Sequence, residues 1–360
     1  MISLINRARR QAASGGGAAA NPDFVSTWDT TQAGSASDTV VLPLVSGGTY
    51  SGTIDWGDTS TSVLSYANRT HTYASGGVYT ITISGTIRGF SFNNGGDKRK
   101  ILDISNWGSV AFIGTSDHFR GCSSLDISAV DAPDLSGAAY MQNFFYQCIS
   151  LTTADFSRWD TSAATNMSGI FGYCTIFNGN ISTWDVSNVT TFSGAFTNAA
   201  AFNSDIGSWN TGSVTNVITM FYGATLFNQN IGSWDLSGVT SFQNAFRLAR
   251  AFNNGGSSSI NNWNVSNVTT FLDSFRDADS FNQPIGNWNM SAVTIIQNMF
   301  YKASQSLPFS QDISAWDINQ VTNFVNFGTG FIGLSTANYD ALLIAWDAQG
   351  AMSFSGTVNF

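Results

Sequence analysis

Side chains able to do acid–base or nucleophilic work are scarce in this chain of 360 residues. There are two histidines, His71 and His118, and no glutamate. His71 stands in a His-Thr-Tyr sequence and reads as structural. Nothing in the spacing around His118 points to a nucleophile–base pair. The cysteines, Cys122, Cys148 and Cys174, each follow a recurring Phe by three residues, and Ala199, Ala224, Ala249, Ala278 and Ala303 fill the same slot elsewhere. The slot therefore asks for a small buried side chain. Three cysteines cannot all pair, no Cys-x-x-Cys is present for zinc, and reduced thiols fit assembly in a cytoplasm. No glycine-rich phosphate motif occurs. The chemistry left is recognition. The residue after each recurring Trp is short and polar: Asp160, Asp185, Asn210, Asp235, Asn264, Asn289 and Asp317. Such a stripe can hydrogen-bond sugar hydroxyls or ligate calcium; alternatively it satisfies turn and cap hydrogen bonds. Beyond that calcium option no cofactor is implied, and no enzyme is expected.

A stripe of this kind needs a regular scaffold, and the sequence supplies a period. Trp159, Trp184, Trp209, Trp234, Trp263, Trp288 and Trp316 are separated by 25, 25, 25, 29, 25 and 28 residues. The longer steps hold short insertions at 254–259 and 304–308. Self-similarity this regular predicts a solenoid of about nine units over 101–333. In the unit that starts at Ile181, apolar residues at 181, 184 and 186 have the L-x-x-L-x-L spacing of leucine-rich repeats. Val189, Phe192, Ala195, Phe196 and Ala199 then recur at threes and fours, which predicts a short helix. The expected fold is leucine-rich-repeat-like, one short strand plus one short helix per 25-residue unit, with the Asp/Asn stripe on the outer face of the strands. Asn178, Asn203, Asn228, Asn253 and Asn282 recur where the chain bends and read as structural. Over 334–360, Tyr339, Leu342, Leu343 and Trp346 at helical spacing predict a C-terminal helical cap that starts at Ser335 or Thr336.

Ahead of the repeats, residues 24–89 carry β-branched runs of period two separated by Gly/Ser turns, which predicts a small all-β sandwich. Residues 90–100 read as a polar, basic linker. Residues 1–23 combine a short segment, Ile2, Leu4, Ile5, Arg7, Arg9 and Arg10, with a Gly/Ala tether, and read as an anchor arm.

Charged residues make up only 10% of the chain, against about a quarter in ordinary domains, and the net charge is -9. Residues 101–360 carry 17 Asp against six Lys or Arg. A nucleic-acid partner is disfavoured, because phosphate binding needs a basic face. No apolar run approaches a membrane span, and no apolar segment follows the first arginines as it would in a secretory signal.

Two resemblances follow. Ile54-Asp-Trp-Gly-Asp, with His71-Thr-Tyr and the strand from Val78, resembles the PKD family of immunoglobulin-like sandwiches. Trp184-Asp-Val-Ser-Asn-Val-Thr, Phe227-Asn-Gln-Asn-Ile-Gly-Ser-Trp-Asp and Phe281-Asn-Gln-Pro-Ile-Gly-Asn-Trp-Asn resemble the 25-residue repeats of BspA-like leucine-rich-repeat surface proteins and mycoplasma lipoproteins. These families imply surface display and adhesion rather than a reaction. Taken with the anchor arm, the expectation is a virion-surface protein of a bacteriophage, a head or tail fibre or decoration protein. Its partners would be other virion proteins through the arm and a host surface glycan or protein, with a possible homo-oligomer. A bacterial cell-surface adhesin and a purely structural capsid decoration protein are the alternatives.

Overall fold

A computed structural model describes residues 22–114, 116–302, 308–329 and 333–349. The anchor residues Ile2, Leu4, Ile5, Arg7, Arg9 and Arg10 lie outside the described residues, as does Ala303. Ten strands form in the first part of the chain: β1 (Phe24–Asp29), β2 (Thr39–Val41), β3 (Leu44–Asp55), β4 (Thr61–Val63), β5 (Thr70–Thr72), β6 (Val78–Phe90), β7 (Ile101–Asn106), β8 (Val110–Ile113), β9 (Asp126–Ile127) and β10 (Asp134–Gly137). β1 shows why period two selects a strand: Phe24, Ser26 and Trp28 are buried while Val25, Thr27 and Asp29 are less so. An eight-stranded sheet runs β10-β8-β6-β1-β7-β9, with β3 on β6 and β4 on β3. β2 and β5 make a second, two-stranded sheet. Val40, Leu42, Trp56, Leu64 and Tyr73 join Phe24, Trp28, Ile81 and Ile83 in one core, which gives a β-sandwich. Where β3 crosses β6, Gly52 faces Gly85 at φ +129° and +99°. A Cβ at Gly52 would run into the Ser84 carbonyl, so only glycine fits.

The sandwich does not end at residue 89. β7 pairs antiparallel with β1, β8 pairs parallel with β6, and β9 and β10 add to β7 and β8. The segment expected as a linker is built in. The Asp97 carboxylate accepts from the Ser35 N–H (2.6 Å), the Ser35 hydroxyl (2.8 Å) and the Val41 N–H (2.6 Å). Lys100 Nζ donates to the carbonyls of Ser35 (3.1 Å), Ala36 (2.8 Å) and Thr39 (2.8 Å). Both charges are buried 4.0 Å apart, a cost that these surrounding bonds offset.

The expected solenoid of one strand plus one helix per unit is overturned. Among the described residues, regular structure after β10 consists of two 3-10 turns in the 254–259 insertion region (Asn254–Gly256 and Ser258–Asn262) and one α-helix, α1 (Thr336–Ala348). Neither the Trp-x-Val segment nor the Val189–Ala199 segment is a regular element. The units are turns joined by single parallel bridges, such as Asn166 to Thr191, Thr191 to Asn216 and Thr270 to Ile295. The physical reason is backbone handedness. Twice per unit, four residues apart, φ turns positive: Gly169 and Tyr173, Gly194 and Asn198, Thr219 and Gly223, Asn244 and Leu248, Asp273 and Asp277. A left-handed residue every fourth position breaks a right-handed helix. Between them the N–H groups alternate in target. Phe192, Gly194, Phe196 and Asn198 donate to Asn216, Ile218, Met220 and Tyr222 of the next unit (2.6 to 2.9 Å), whereas Ala195, Thr197 and Ala199 bond three residues back. The three-and-four apolar spacing that resembles a helix is thus a series of turns. The fold is mostly sheet with a single described α-helix.

Side chains reinforce the bonding between units. Indole Nε1 of Trp184, Trp209, Trp234, Trp263, Trp288 and Trp316 donates to a carbonyl of the unit before, at 2.8 to 3.2 Å. Phe171, Phe196, Phe221, Phe246, Phe275 and Phe300 stack ring on ring at 5.3 to 6.0 Å. The Asn residues at the bend accept the next unit's N–H: Asn178 from Asn203, Asn203 from Asn228 and Asn228 from Asn253, each at 2.8 Å. Threonines link the units in the other direction, Thr190 Oγ1 donating to the Thr165 carbonyl of the unit before and Thr215 Oγ1 to that of Thr190 (3.1 and 3.2 Å). At the far end α1 starts at Ser335, whose hydroxyl accepts the Asn338 N–H at 3.1 Å. Leu342 and Trp346 are buried, Trp346 against Phe324 and Phe327. Gln349 accepts the Ile318 N–H (2.8 Å) and donates to the Trp316 carbonyl (3.0 Å), which satisfies backbone that would otherwise face no further unit.

Candidate functional site

The Asp/Asn stripe is exposed and recurs in consecutive units. It does not lie on strands. Each member sits in a turn and accepts the N–H two residues on. The acceptors are Asp160 from Ser162 (3.1 Å), Asp185 from Ser187 (2.9 Å), Asn210 from Gly212 (3.3 Å), Asp235 from Ser237 (2.9 Å), Asn264 from Ser266 (3.2 Å), Asn289 from Ser291 (3.1 Å) and Asp317 from Asn319 (3.1 Å). This is the local side-chain-to-backbone bond that Asx residues favour in turns. Asp160, Asp185 and Asp235 are held below the usual carboxylate range by the hydrogen bonds of Ser162, Ser187 and Ser237. One oxygen of each side chain is therefore committed to the fold. Calcium takes six to eight converging oxygens, and among the described residues no group of three or more His, Cys, Asp or Glu side chains is placed to hold a metal ion.

Among the described residues, serine, histidine and aspartate side chains meet in the sandwich. His71 Nε2 lies 2.8 Å from Asp58 Oδ2 and stacks on Trp56 at 4.8 Å and 14°. The Ser60 hydroxyl donates to Asp58 Oδ1 at 2.5 Å and lies 3.4 Å from the same His71 Nε2. In a nucleophilic triad serine and aspartate occupy opposite nitrogens of the imidazole; here both crowd one. The bonds from Ser60, and then from His71, hold the Asp58 carboxyl at about 2, so the group works as a turn lock. His118 is buried, with Nδ1 2.9 Å from the Phe90 carbonyl. The three thiols are free and buried, with Cys148 and Cys174 facing the carbonyls of Phe119 and Phe145 (3.1 and 2.9 Å). Burial pushes all three up, which leaves them poor nucleophiles. A void of about 10 Å³ between Phe221, Trp234, Leu236 and Trp263 is apolar and lies inside the stack, with room for about one water and no ligand.

A second row escaped the sequence reading. The residue directly after the stacked Phe is Arg120, Tyr146, Tyr222, Arg247, Arg276 or Tyr301 in six units. The guanidinium of Arg120 lies 5.2 Å from the Tyr146 ring, that of Arg247 5.5 Å from Tyr222 and that of Arg276 4.8 Å from Tyr301. The signal was in the sequence: apart from Arg158, every Lys or Arg of residues 101–360 falls on this row or within four residues of its members.

These features define a protein of repeated, turn-built units that bond to one another and display rows of polar and aromatic side chains. Residues 139–258 and 257–341 match the family model described as "Mycoplasma protein of unknown function, DUF285". The match spans more than half of the 360 residues, and the chain belongs to that family, which is that of the BspA-like mycoplasma repeat proteins. Comparison with curated proteins gives no match, and neither does comparison with solved structures. Among the described residues no helix is long and apolar enough to cross a membrane.

Proposed function

We propose that this chain is a non-enzymatic surface protein that adheres to a host cell, displayed on a virion as a head or tail fibre or decoration protein, with residues 1–23 as its anchor arm. The observation that carries the reading is the division of labour within each unit. Trp, Asn, Phe and Thr slots are spent on bonds between units, and what remains is a long rim of exposed Asp and Asn side chains and half-exposed tyrosines with no reaction centre built around it among the described residues. The partners are virion proteins at the arm and a host glycan or protein at the repeats. The Trp-Gly-Asp turn locked by His71 supports a PKD-like module as spacer, because its hydrogen bonds are those of a rigid structural turn. The mycoplasma family supports a second reading, a bacterial cell-surface adhesin that uses the same repeats in the same way.

Adsorption of the full chain to intact candidate host cells, beside a chain lacking residues 1–20, tests this. Both should adsorb, and only the full chain should join particles that lack it. Failure of both to adsorb, with the full chain still joining particles, overturns adhesion and leaves a capsid decoration protein. Asp185→Ala with Asp235→Ala asks whether the Asp/Asn stripe takes part. Unchanged adsorption assigns the stripe to the turns alone.

A further inference from the structure

Repeated units let one slot be compared with itself inside a single chain. Slots that keep one residue type are those the fold uses, such as the indole that donates to the preceding unit. The slot after the stacked Phe is not of that kind. It holds Gly172 and Thr197 in two units, so the fold requires no large side chain there. In the other six it holds only arginine or tyrosine. Each arginine lies against a tyrosine of an adjacent unit and is tied through Nη1, Arg120 to Asp117 (3.0 Å), Arg247 to Asn244 (3.4 Å) and Arg276 to Asp273 (3.0 Å). The planar groups are thereby ordered in advance of binding, which lowers the entropy lost when a ligand docks. The Nε–H of Arg120 and of Arg247 is sealed from water without a hydrogen-bond acceptor, whereas that of Arg276 faces Asp277 Oδ2 at 3.6 Å. An unsatisfied buried donor is unfavourable, so these arginines are not the choice that stability alone would repeat in a slot where threonine serves.

The chemistry of the row narrows the partner. Arg250 and Lys302 join it, both on Asp279 (2.9 and 3.2 Å). Five basic groups then stand against Asp117, Asp273, Asp277 and Asp279, so the row is near neutral within a region of 17 Asp and six Lys or Arg. That balance does not suit the dense charge of a nucleic acid. Half-exposed tyrosines, each with a guanidinium over one ring face, beside arginines whose Nη2 is outside the bonds named above suit rings that carry carboxylates. One unit advances the row by 5.3 to 6.0 Å, as measured on the stacked Phe rings, comparable with one sugar residue of an extended polysaccharide.

We propose that this row binds a linear, carboxylate-bearing glycan laid along the units, with sugar rings on the tyrosines and carboxylates on the arginines. The inference rests on the adhesion reading and names its ligand class. The test is calorimetric titration of the full chain with an oligogalacturonate and with a neutral oligogalactoside of equal length. The oligogalacturonate should bind at least tenfold more tightly. Tyr222→Thr with Arg247→Thr, which installs the residue already present as Thr197, should weaken it at least tenfold while the circular-dichroism melt stays unchanged. No binding by the unmodified chain, equal affinity for the neutral sugar, or an unweakened double variant overturns the proposal. The same variant on host cells separates the two ideas: undiminished adsorption sinks the row and leaves adhesion standing, whereas oligogalacturonate binding by a chain that adsorbs to no cell sinks adhesion and leaves the row.

Discussion

Thr219 sits at φ +55°, a region that costs a β-branched residue about 1–3 kcal/mol. The equivalent slot holds Asn143, Gly169, Gly194, Asn244, Asp273 and Asn298, the types that visit this region most readily. Thr219→Asn should therefore raise unfolding stability by about 1 kcal/mol, measured by denaturant titration; a loss of stability would mean that the Thr219 hydroxyl matters more than its backbone. Asp58 sets a pH window. Its folded value of about 2 lies below the ordinary 3.8, so the unfolded chain binds the proton more readily. The stabilisation is complete above about pH 4 and disappears as pH falls through about 2. Melting temperature followed from pH 5 to pH 2 should drop more steeply in the unmodified protein than in Asp58→Asn. Parallel slopes would deny Asp58 this role.

At the scale of the element, the recurring Trp does two things, fill the core and donate across units. Trp159 alone isolates them, because its Nε1 lacks a hydrogen-bond partner while Trp209 Nε1 reaches the Ile181 carbonyl at 3.2 Å. The Ile181 carbonyl also accepts the Trp184 N–H at 3.2 Å, so Trp209→Phe should cost about 0.5–1.5 kcal/mol more than Trp159→Phe, the worth of one hydrogen bond, as read from paired denaturation curves. Equal losses would assign the indole to packing only. The same elements explain what the sequence could and could not tell. Unit length, the insertion at 254–259, the β runs of the sandwich, the Asn bends and the Ser335 start of α1 are all visible, because each is written in a residue type with one physical use; the insertion at 304–308 lies almost wholly outside the described residues. The helix was misread because Val189, Phe192, Ala195, Phe196 and Ala199 satisfy helical spacing while Gly194 and Asn198 bend the backbone the other way. Periodicity reports which side chains face the core, and the left-handed residues decide what path brings them there. The Asp/Asn stripe was likewise visible as a pattern, but its commitment to the N–H two residues on depends on that path.

For the whole molecule, the two ends are closed by unlike means. The sandwich sheet runs on into the first units through β7 and β8, and α1 closes the other end through Leu342, Trp346 and Gln349. A chain ending at residue 334 would take Trp346 off Phe324 and Phe327, leaving an exposed apolar surface that favours association. It should run as oligomers or aggregate in light scattering, whereas Gln349→Ala, which keeps the apolar cover, should stay monodisperse with a lower melting temperature. A monodisperse truncated chain would show that the last unit needs no cover.

The bend asparagines have a consequence of another kind. Asn203 gives its N–H to Asn178 and offers its Oδ1 to the N–H of Asn228, and Asn228 and Asn253 do likewise in their own units. Any interval from one such Asn to the next therefore has matching ends. A stretch of DNA that encodes one interval can be lost or copied in frame, and the joined chain still finds an acceptor for every donor at the seam. The length of the protein is thus open to change in whole steps, without any intermediate that must survive with a broken ladder.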